Sequence, residues 1–409
     1  MVRHASLFSQ LVALFDRKKF CALVYRHGSE RYAKGFSSWD HFVSMLFCQL
    51  AQAKSLREIC GGLACCLGKL KHLGMNSSPN KSTLSYANAH RPWRMYRDLF
   101  YETLAFCRQS APGKKFRFKN RLLTLDSTTI SLCLSLFPWA KFRRTKGAVK
   151  LHLLLDHDGY LPSFAYISNG KNHDVTIAQK ISLAPDSIVA MDRGYNDYRL
   201  FALWTENRVY FVTRMRETAT YRVISESRVP KNRNILADQV IEFDNDLARK
   251  KCPYRLRRIV VWDSEKDREI VLLTNHMKFG ATTIAAIYKD RWQIELFFKA
   301  LKQNLKVKTF VGTSENALYI QIWTALIAIL LIKYLQFKSR LKWSLSNLVA
   351  FLRWNLFTYR NLWDWINEPF EVLPPDPEPV QYPLPLRFVG QHTSAEKINL
   401  ELKTVLNAT

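Results

Sequence analysis

Acid is what this chain is short of. Its 409 residues hold 34 Asp and Glu against 61 Lys and Arg, a net charge of +27. Such an excess points to a polyanionic partner, with nucleic acid ahead of an anionic membrane surface. Long apolar runs are scarce too. The greasiest, Ile322 to Ile332, is bounded by Gln321 and Lys333; a bilayer span needs about twenty residues, so a buried helix is expected there and no membrane association. The opening "MVRHASLFSQLVALFDRKK" has no long apolar block and no cleavage-type ending, which predicts a cytoplasmic, nucleoid-associated protein. The eight cysteines form no C-x-x-C pair and neither His nor Cys recurs at ligand spacing. A zinc site is therefore not expected, and cysteines seated in runs such as "LACCLG" read as reduced core thiols. No Ser-His or Cys-His arrangement offers a protein nucleophile, and no internal repeat is present.

What remains is ordinary globular material, 48% hydrophobic and 23% charged, long enough for two or three domains. Residues 1–110 read as helical: "SWDHFVSMLFCQLAQA" has helical periodicity after Ser38 as N-cap, and Ser55 with Glu58 makes a capping-box pattern. After the turn "GMNSSPN", the segment beginning "KSTLSYANAH" carries Lys81, Ser82, Thr83, Ser85 and Asn88, donors and acceptors suited to base edges and phosphates. Helix, turn and polar helix is the pattern of a DNA reader, although polar surface helices are common. Two basic clusters follow, "KKFRFKNR" (114–121) and "KFRRTKGAVK" (141–150).

From about 120 the texture turns to strands. "RLLTLD" ends in Asp126, "TTISLCLSLF" alternates with period two, and "VKLHLLLDHDGYLPSFAYI" reads as a hairpin turning at "DHDG". "IVAMD" ends in Asp192; a helix and the strand "VYFVTR" follow. Three strands, then helix, strand, helix and strand, is the order of an α/β RNase H-like core. Residues 216–280 read as a β-rich insertion, residues 341–409 as a C-terminal helical region with a Pro-rich tail. The resulting expectation is an RNase H-like catalytic domain over 120–340 behind a helical DNA-binding domain.

The segment "YKDRWQIELFFKALKQNLKV" closes that catalytic stretch. Read as one helix at 100° per residue, it puts Tyr288, Arg291, Glu295 and Lys302 in a strip about 60° wide, with Ile294, Phe297, Phe298, Leu301 and Leu305 turned to a core. A solvated charged face with a Glu295–Lys299 pair is the plain alternative. Each acid alone has a plain reading as well, because acids at strand ends often cap the next turn. Two strand-end aspartates joined by a helical glutamate would repel one another unless cations neutralise them. Hard oxygen ligands favour Mg²⁺ or Mn²⁺, and two such ions about 4 Å apart suit phosphodiester chemistry.

On these pieces the chain resembles the DDE transposases of the insertion sequence 4 family. "LDSTTISL", "MDRGYNDYRLF" and the pattern Y-x2-R-x3-E-x6-K at Tyr288, Arg291, Glu295 and Lys302 carry the likeness over roughly 120–340. The resemblance implies a metal-binding catalytic triad of Asp126, Asp192 and Glu295, with Tyr288, Arg291 and Lys302 holding phosphates of the element's end. It further implies binding of inverted-repeat DNA ends, cleavage that frees a 3′-OH, strand transfer, two Mg²⁺ ions and a homodimer on paired ends. Trp262 in "VVWDS" is a candidate for stacking on a flipped base, with an edge or core role as the alternative; Lys150 and His152 either face the site or are ordinary strand residues facing solvent. A nuclease without strand transfer, or a DNA-binding remnant of a transposase, would share most of these features.

Overall fold

Six α-helices precede the first strand among the residues described by the computed structural model, which are 4–370 apart from 32, 67–68, 114, 144–145, 171–173, 231–232, 306 and 308. They are α1 (Leu7–Val12), α2 (Arg17–His27), α3 (Ser38–Leu50), α4 (Leu56–Ala64), α5 (Lys81–His90) and α6 (Trp93–Arg108). The capping signals explain where two of them start. Ser37, one residue before the expected Ser38, caps α3 in a reciprocal box with Asp40. Ser55 caps α4 by accepting from the Glu58 amide at 3.2 Å, while the Glu58 carboxylate accepts from the Lys54 amide at 2.8 Å and from the Ser55 hydroxyl at 3.4 Å rather than from the Ser55 amide.

Along α5 the short polar side chains divide. Lys81, Ser82, Thr83 and Ser85 are exposed. Asn88 is not: it is 1% exposed, and its Oδ1 receives a hydrogen bond of 2.8 Å from Nε2 of the fully buried His41. It is part of the core and cannot read a DNA edge. The helical period explains this, since Leu84, Ala87 and Asn88 share the inward face. Tyr96 completes the chain by donating its hydroxyl to His41 Nδ1 at 2.8 Å.

The strands are β1 (Leu122–Leu132), β2 (Lys141–Arg143), β3 (Lys146–Asp156), β4 (Leu161–Asn169), β5 (Ile188–Met191), β6 (Tyr210–Arg214), β7 (Tyr221–Glu226), β8 (Ile235–Phe243), β9 (Leu256–Asp263) and β10 (Arg268–Thr274). Short helices α7 (Asp174–Ala178), α8 (Tyr198–Glu206) and α9 (Asp246–Lys251) connect them. All of the strands lie in one mixed sheet ordered β2-β3-β1-β5-β6-β10-β9-β8-β7, with β4 also on β3. Only β1–β5 and β5–β6 are parallel; every other pair is antiparallel. The stretch expected as an insertion is thus an antiparallel meander that extends the sheet, joined to β6 through β10.

The remaining helices are α10 (Ala281–Asp290), α11 (Trp292–Asn304), α12 (Glu315–Lys338), α13 (Leu345–Asn355) and α14 (Leu362–Asn367). Helix α12 is long and apolar enough to cross a membrane by length and composition. Its apolar surface is instead buried, packed against α3, α5, α6 and α13. It ties the amino-terminal helices to the face of the sheet where Ile130, Leu132, Leu151 and Leu153 meet Ile294 and Phe297. Cys48, Cys107 and Cys252 are core thiols as expected, whereas Cys21, Cys65 and Cys133 are exposed. Contacts divide the chain into Met1–Asn367 and Glu368–Thr409; the elements named here belong to the first unit, and the Pro-rich tail lies outside the described residues.

Burial pushes the His41 pKa down to about 3, with the Arg91 charge adding to it and the Asn88 bond opposing. The unfolded chain takes up this proton near 6.5. The folded value is the lower one, so stability is intact above about pH 6.5 and is lost as pH falls toward 3, at about 1.4 kcal/mol per pH unit. Urea unfolding from about pH 7 to about pH 5 should show this decline. A His41→Asn variant, less stable throughout, should lose less over the same interval; an equal loss would contradict the assignment.

Candidate active site

Asp126 lies inside β1, not at its end, because β1 runs on six residues to Leu132. What stops at this level is the neighbour. The parallel ladder between β1 and β5 closes at Leu125 opposite Met191, so the next residue on each strand, Asp126 and Asp192, emerges where the sheet opens. Asp192 starts a 3-10 turn over Arg193–Tyr195 and accepts the Gly194 amide at 3.4 Å. Buried Asn196 pins that turn to β6, donating to the Arg214 carbonyl at 2.7 Å and accepting from Thr213 at 3.0 Å.

Glu295 comes from α11. The expected single helix is interrupted at Arg291, where the hydrogen bonds tighten to the i−3 carbonyl on both sides: Arg291 N to Tyr288 O and Ile294 N to Arg291 O, each 3.2 Å. The Arg291 backbone stays in the right-handed helical region, so Tyr288, Arg291 and Glu295 still share one side. At the joint the Arg291 guanidinium stands between two acids, 2.6 Å from Glu295 Oε1 and 3.5 Å from Asp126 Oδ2. It also lies over the Tyr288 ring, 5.7 Å from its centroid.

Burial dominates the electrostatics of the site, with neighbouring charges adding to it. The Asp126 pKa rises to about 6, first through burial and then through the fields of Asp192 and Glu295, against the Ser127 amide and the Arg291 charge. The Ser127 amide donates to Asp126 Oδ1 at 2.7 Å. Burial raises the Tyr288 hydroxyl, and Asp192 adds to that while Arg291 opposes it. Burial works against the Arg291 cation, yet Tyr288, Glu295 and Asp126 outweigh it and hold the guanidinium above its usual value. Its Nε is buried without a hydrogen-bond partner.

Lys302 lies two turns beyond Glu295 and donates to the Thr129 carbonyl at 3.0 Å, on the exposed side of β1. Trp262 is on β9 in the meander, 36% exposed, with its backbone paired to Asn234. Neither Lys150 nor His152 faces solvent. His152 is fully buried and bonded to Ser168, and Lys150 pairs with Asp174 at 3.2 Å. Two acids that the sequence reading passed over stand beside the site. One is Asp174. The other, Asp290, precedes Arg291 and accepts from Lys115 at 2.5 Å, His157 at 2.6 Å and Tyr160 at 3.1 Å. His157 in turn bonds Thr124 of β1 at 2.6 Å, which ties the helical joint to the strand bearing Asp126.

Among the described residues, no three His, Cys, Asp or Glu side chains converge as ligands of one ion. The donor set nevertheless fits a hard divalent cation. It consists of carboxylate oxygens, the Asp126 pair raised in pKa by burial and further by the fields of Asp192 and Glu295, and a positive group already stands between two of the acids.

Two family models match the chain: "Transposase DDE domain" over residues 117–331 and "Domain of unknown function (DUF4372)" over residues 3–76. A putative transposase, y4zB, of Sinorhizobium fredii is 33% identical over 259 residues, 63% of this chain and 71% of that protein. A probable transposase for insertion sequence element IS5377 of Geobacillus stearothermophilus is 30% identical over 291 residues, 69% of this chain and 74% of that protein. A piggyBac transposase synaptic complex with hairpin DNA aligns over 86% of this chain and 79% of its own at 11% identity and a TM-score of 0.41, too distant a likeness to carry an argument.

Asp290 is 5% exposed at its side chain and serves three donors. Asp290→Ala should therefore cost about 3 kcal/mol of stability, the usual scale for breaking a buried charged pair. Chemical unfolding measures it, and an unchanged midpoint would contradict the anchoring role.

Proposed function

The chain belongs to the transposase DDE domain family, and on that premise we propose that Asp126, Asp192 and Glu295 are the acids with which this transposase cuts and joins DNA. The observation that carries the assignment is the Arg291 bridge. One guanidinium spans acids from a strand and a helix 169 positions apart in the sequence, and Asp126 feels the field of both other acids. The sheet order supports an RNase H-like core: β4-β3-β1 antiparallel, then β5 and β6 parallel to β1, with Asp126 on β1 and Asp192 just past the end of the adjacent β5.

The family works with divalent metal ions. In this chain Asp126, Asp192 and Glu295 would hold them, as two Mg²⁺ with Mn²⁺ as substitute, and such ions supply Lewis-acid stabilisation of the oxygens around phosphorus. The protein's own groups do the rest. Arg291 carries a planar fork suited to a phosphate, and it is released for that role once its two acids have another counter-charge. Lys302 exchanges the Thr129 carbonyl for a phosphate oxygen, and the Tyr288 hydroxyl lines the same approach. In the cut, a water oxygen bonds to phosphorus as the bond to the 3′ oxygen breaks, leaving a 3′-OH and a 5′-phosphate. That 3′-OH then displaces a 3′ oxygen in target DNA.

Residues 1–110 form the DNA-binding region in this reading. The exposed Lys81, Ser82, Thr83 and Ser85 of α5 are its contact row for the inverted-repeat ends. Residues 120–340 form the catalytic region with the 216–280 meander, on which Trp262 is the stacking candidate. Residues 341–409 complete the chain, and a homodimer on paired ends is the working form, in the cytoplasm at the nucleoid.

The test is cleavage of DNA bearing the element's own ends, with Mg²⁺ present or chelated. Parent protein should nick at the end and pass it into a second DNA. Asp126→Asn and Glu295→Gln should each lose on the order of a thousandfold in rate while still binding the ends. Nicking without transfer would make the protein a nuclease, and undiminished cleavage by either variant would overturn the assignment.

A further inference from the structure

On the opposite face of β1 from Asp126 lies a second polar cluster, and its geometry leads to the site. Ser127 pairs with His152 across β1 and β3, Thr129 with Lys150, and Lys150 with Ser168 across β3 and β4. Directly opposed residues of antiparallel strands project to one side, so Ser127, Lys150, His152 and Ser168 share a face. Asp174, the first residue of α7, meets that face. Its Oδ1 accepts from the Ser127 hydroxyl at 2.9 Å, both of its oxygens receive Lys150 at 3.2 and 3.3 Å, and His152 Nδ1 lies 3.6 Å away. The short helix α7 also packs against the 3-10 turn that follows Asp192.

From these contacts we infer that Asp174 is a positioning residue for cleavage. It acts through Ser127, the residue whose amide holds Asp126 Oδ1 at 2.7 Å. The Ser127 hydroxyl is drawn to Asp174 on one face while its amide fixes the Asp126 carboxylate on the other. One Asp126 oxygen is thereby occupied and the second is left toward Arg291. On its β5 side β1 is unpaired past Leu125, because the parallel neighbour ends at Met191, so residues 126–132 are held by the β3 ladder and, at Ser127, by the contact with Asp174. Lys150 pairs with both oxygens of the half-buried Asp174 and holds it in place. Asp174 touches neither substrate nor reacting atoms in this role. A displacement of Asp126 by less than an ångström is what its loss would bring, and errors of that size cost between about ten- and a hundredfold in rate.

This inference rests on Asp126 being catalytic, and the experiment separates the two. Single-turnover cleavage on pre-bound ends is measured for Ser127→Ala, Asp174→Ala, their double variant, Asp174→Asn and Asp126→Asn, with end binding and thermal unfolding recorded for each. Ser127→Ala leaves the Lys150–Asp174 pair intact, so it reports on positioning even if Asp174→Ala folds poorly. The expectation is a loss of about tenfold or more in rate for Ser127→Ala and Asp174→Ala, with end binding unchanged. The double variant should be no slower than either single one, since both cut the same link. Asp174→Asn, which still accepts from Ser127, should recover most of the rate. A parental rate for Ser127→Ala, or losses that multiply in the double variant, would overturn the positioning role. Cleavage by Asp126→Asn at the parental rate would overturn the catalytic assignment itself.

Discussion

Negative charge gathered in one place is the constraint on which the rest of this structure turns. Asp126 and Glu295 share the Arg291 guanidinium, and Asp126 also feels the field of Asp192, in a protein carrying 27 more positive than negative charges. Burial raises the Asp126 pKa, and the fields of Asp192 and Glu295 add to the rise. In the proposed reading, divalent cations would take over from Arg291 as counter-charge to these acids, and Arg291 would turn to the phosphates of DNA.

The scaffold's contribution is to bring these acids to one level by different means. Two come from adjacent parallel strands whose ladder ends one residue earlier. The third comes from a helix started at a tightened joint, and the joint is anchored by Asp290 to His157 and through it to Thr124 of β1. The same strand therefore carries Asp126 and receives the anchor of the element bearing Glu295. Ser127 and Asp174 brace it from the other face. The supporting groups are all polar and mostly buried, so each must be satisfied or it weakens the fold.

Much of this arrangement is legible in the sequence because it is periodic. Alternation marked β1 and the β3–β4 hairpin, the apolar "IVAM" marked β5, and the 3.6-residue period placed Ile294, Phe297, Phe298 and Leu301 in the core. What period cannot convey is the register of one strand against another. Asp126 therefore read as a strand end, when the feature that stops beside it is β5. The joint at Arg291 was equally hidden, since its dihedrals are helical and only the hydrogen-bond step changes. Asn88 read as a DNA contact because its type suits one; its burial is set by His41, 47 positions away. Asp174 and Asp290 left no local signal, because their partners lie 22 to 175 positions distant in the chain.

Binding of Mn²⁺ to the DNA-free protein, followed by electron paramagnetic resonance, tests the central claim most directly, because it reads the carboxylate cluster without any step of the reaction. If the three acids form one cation site, the parent should retain Mn²⁺ and Asp126→Asn, Asp192→Asn and Glu295→Gln should each weaken it by tenfold or so. Equal retention of Mn²⁺ by the parent and all three variants would contradict the account.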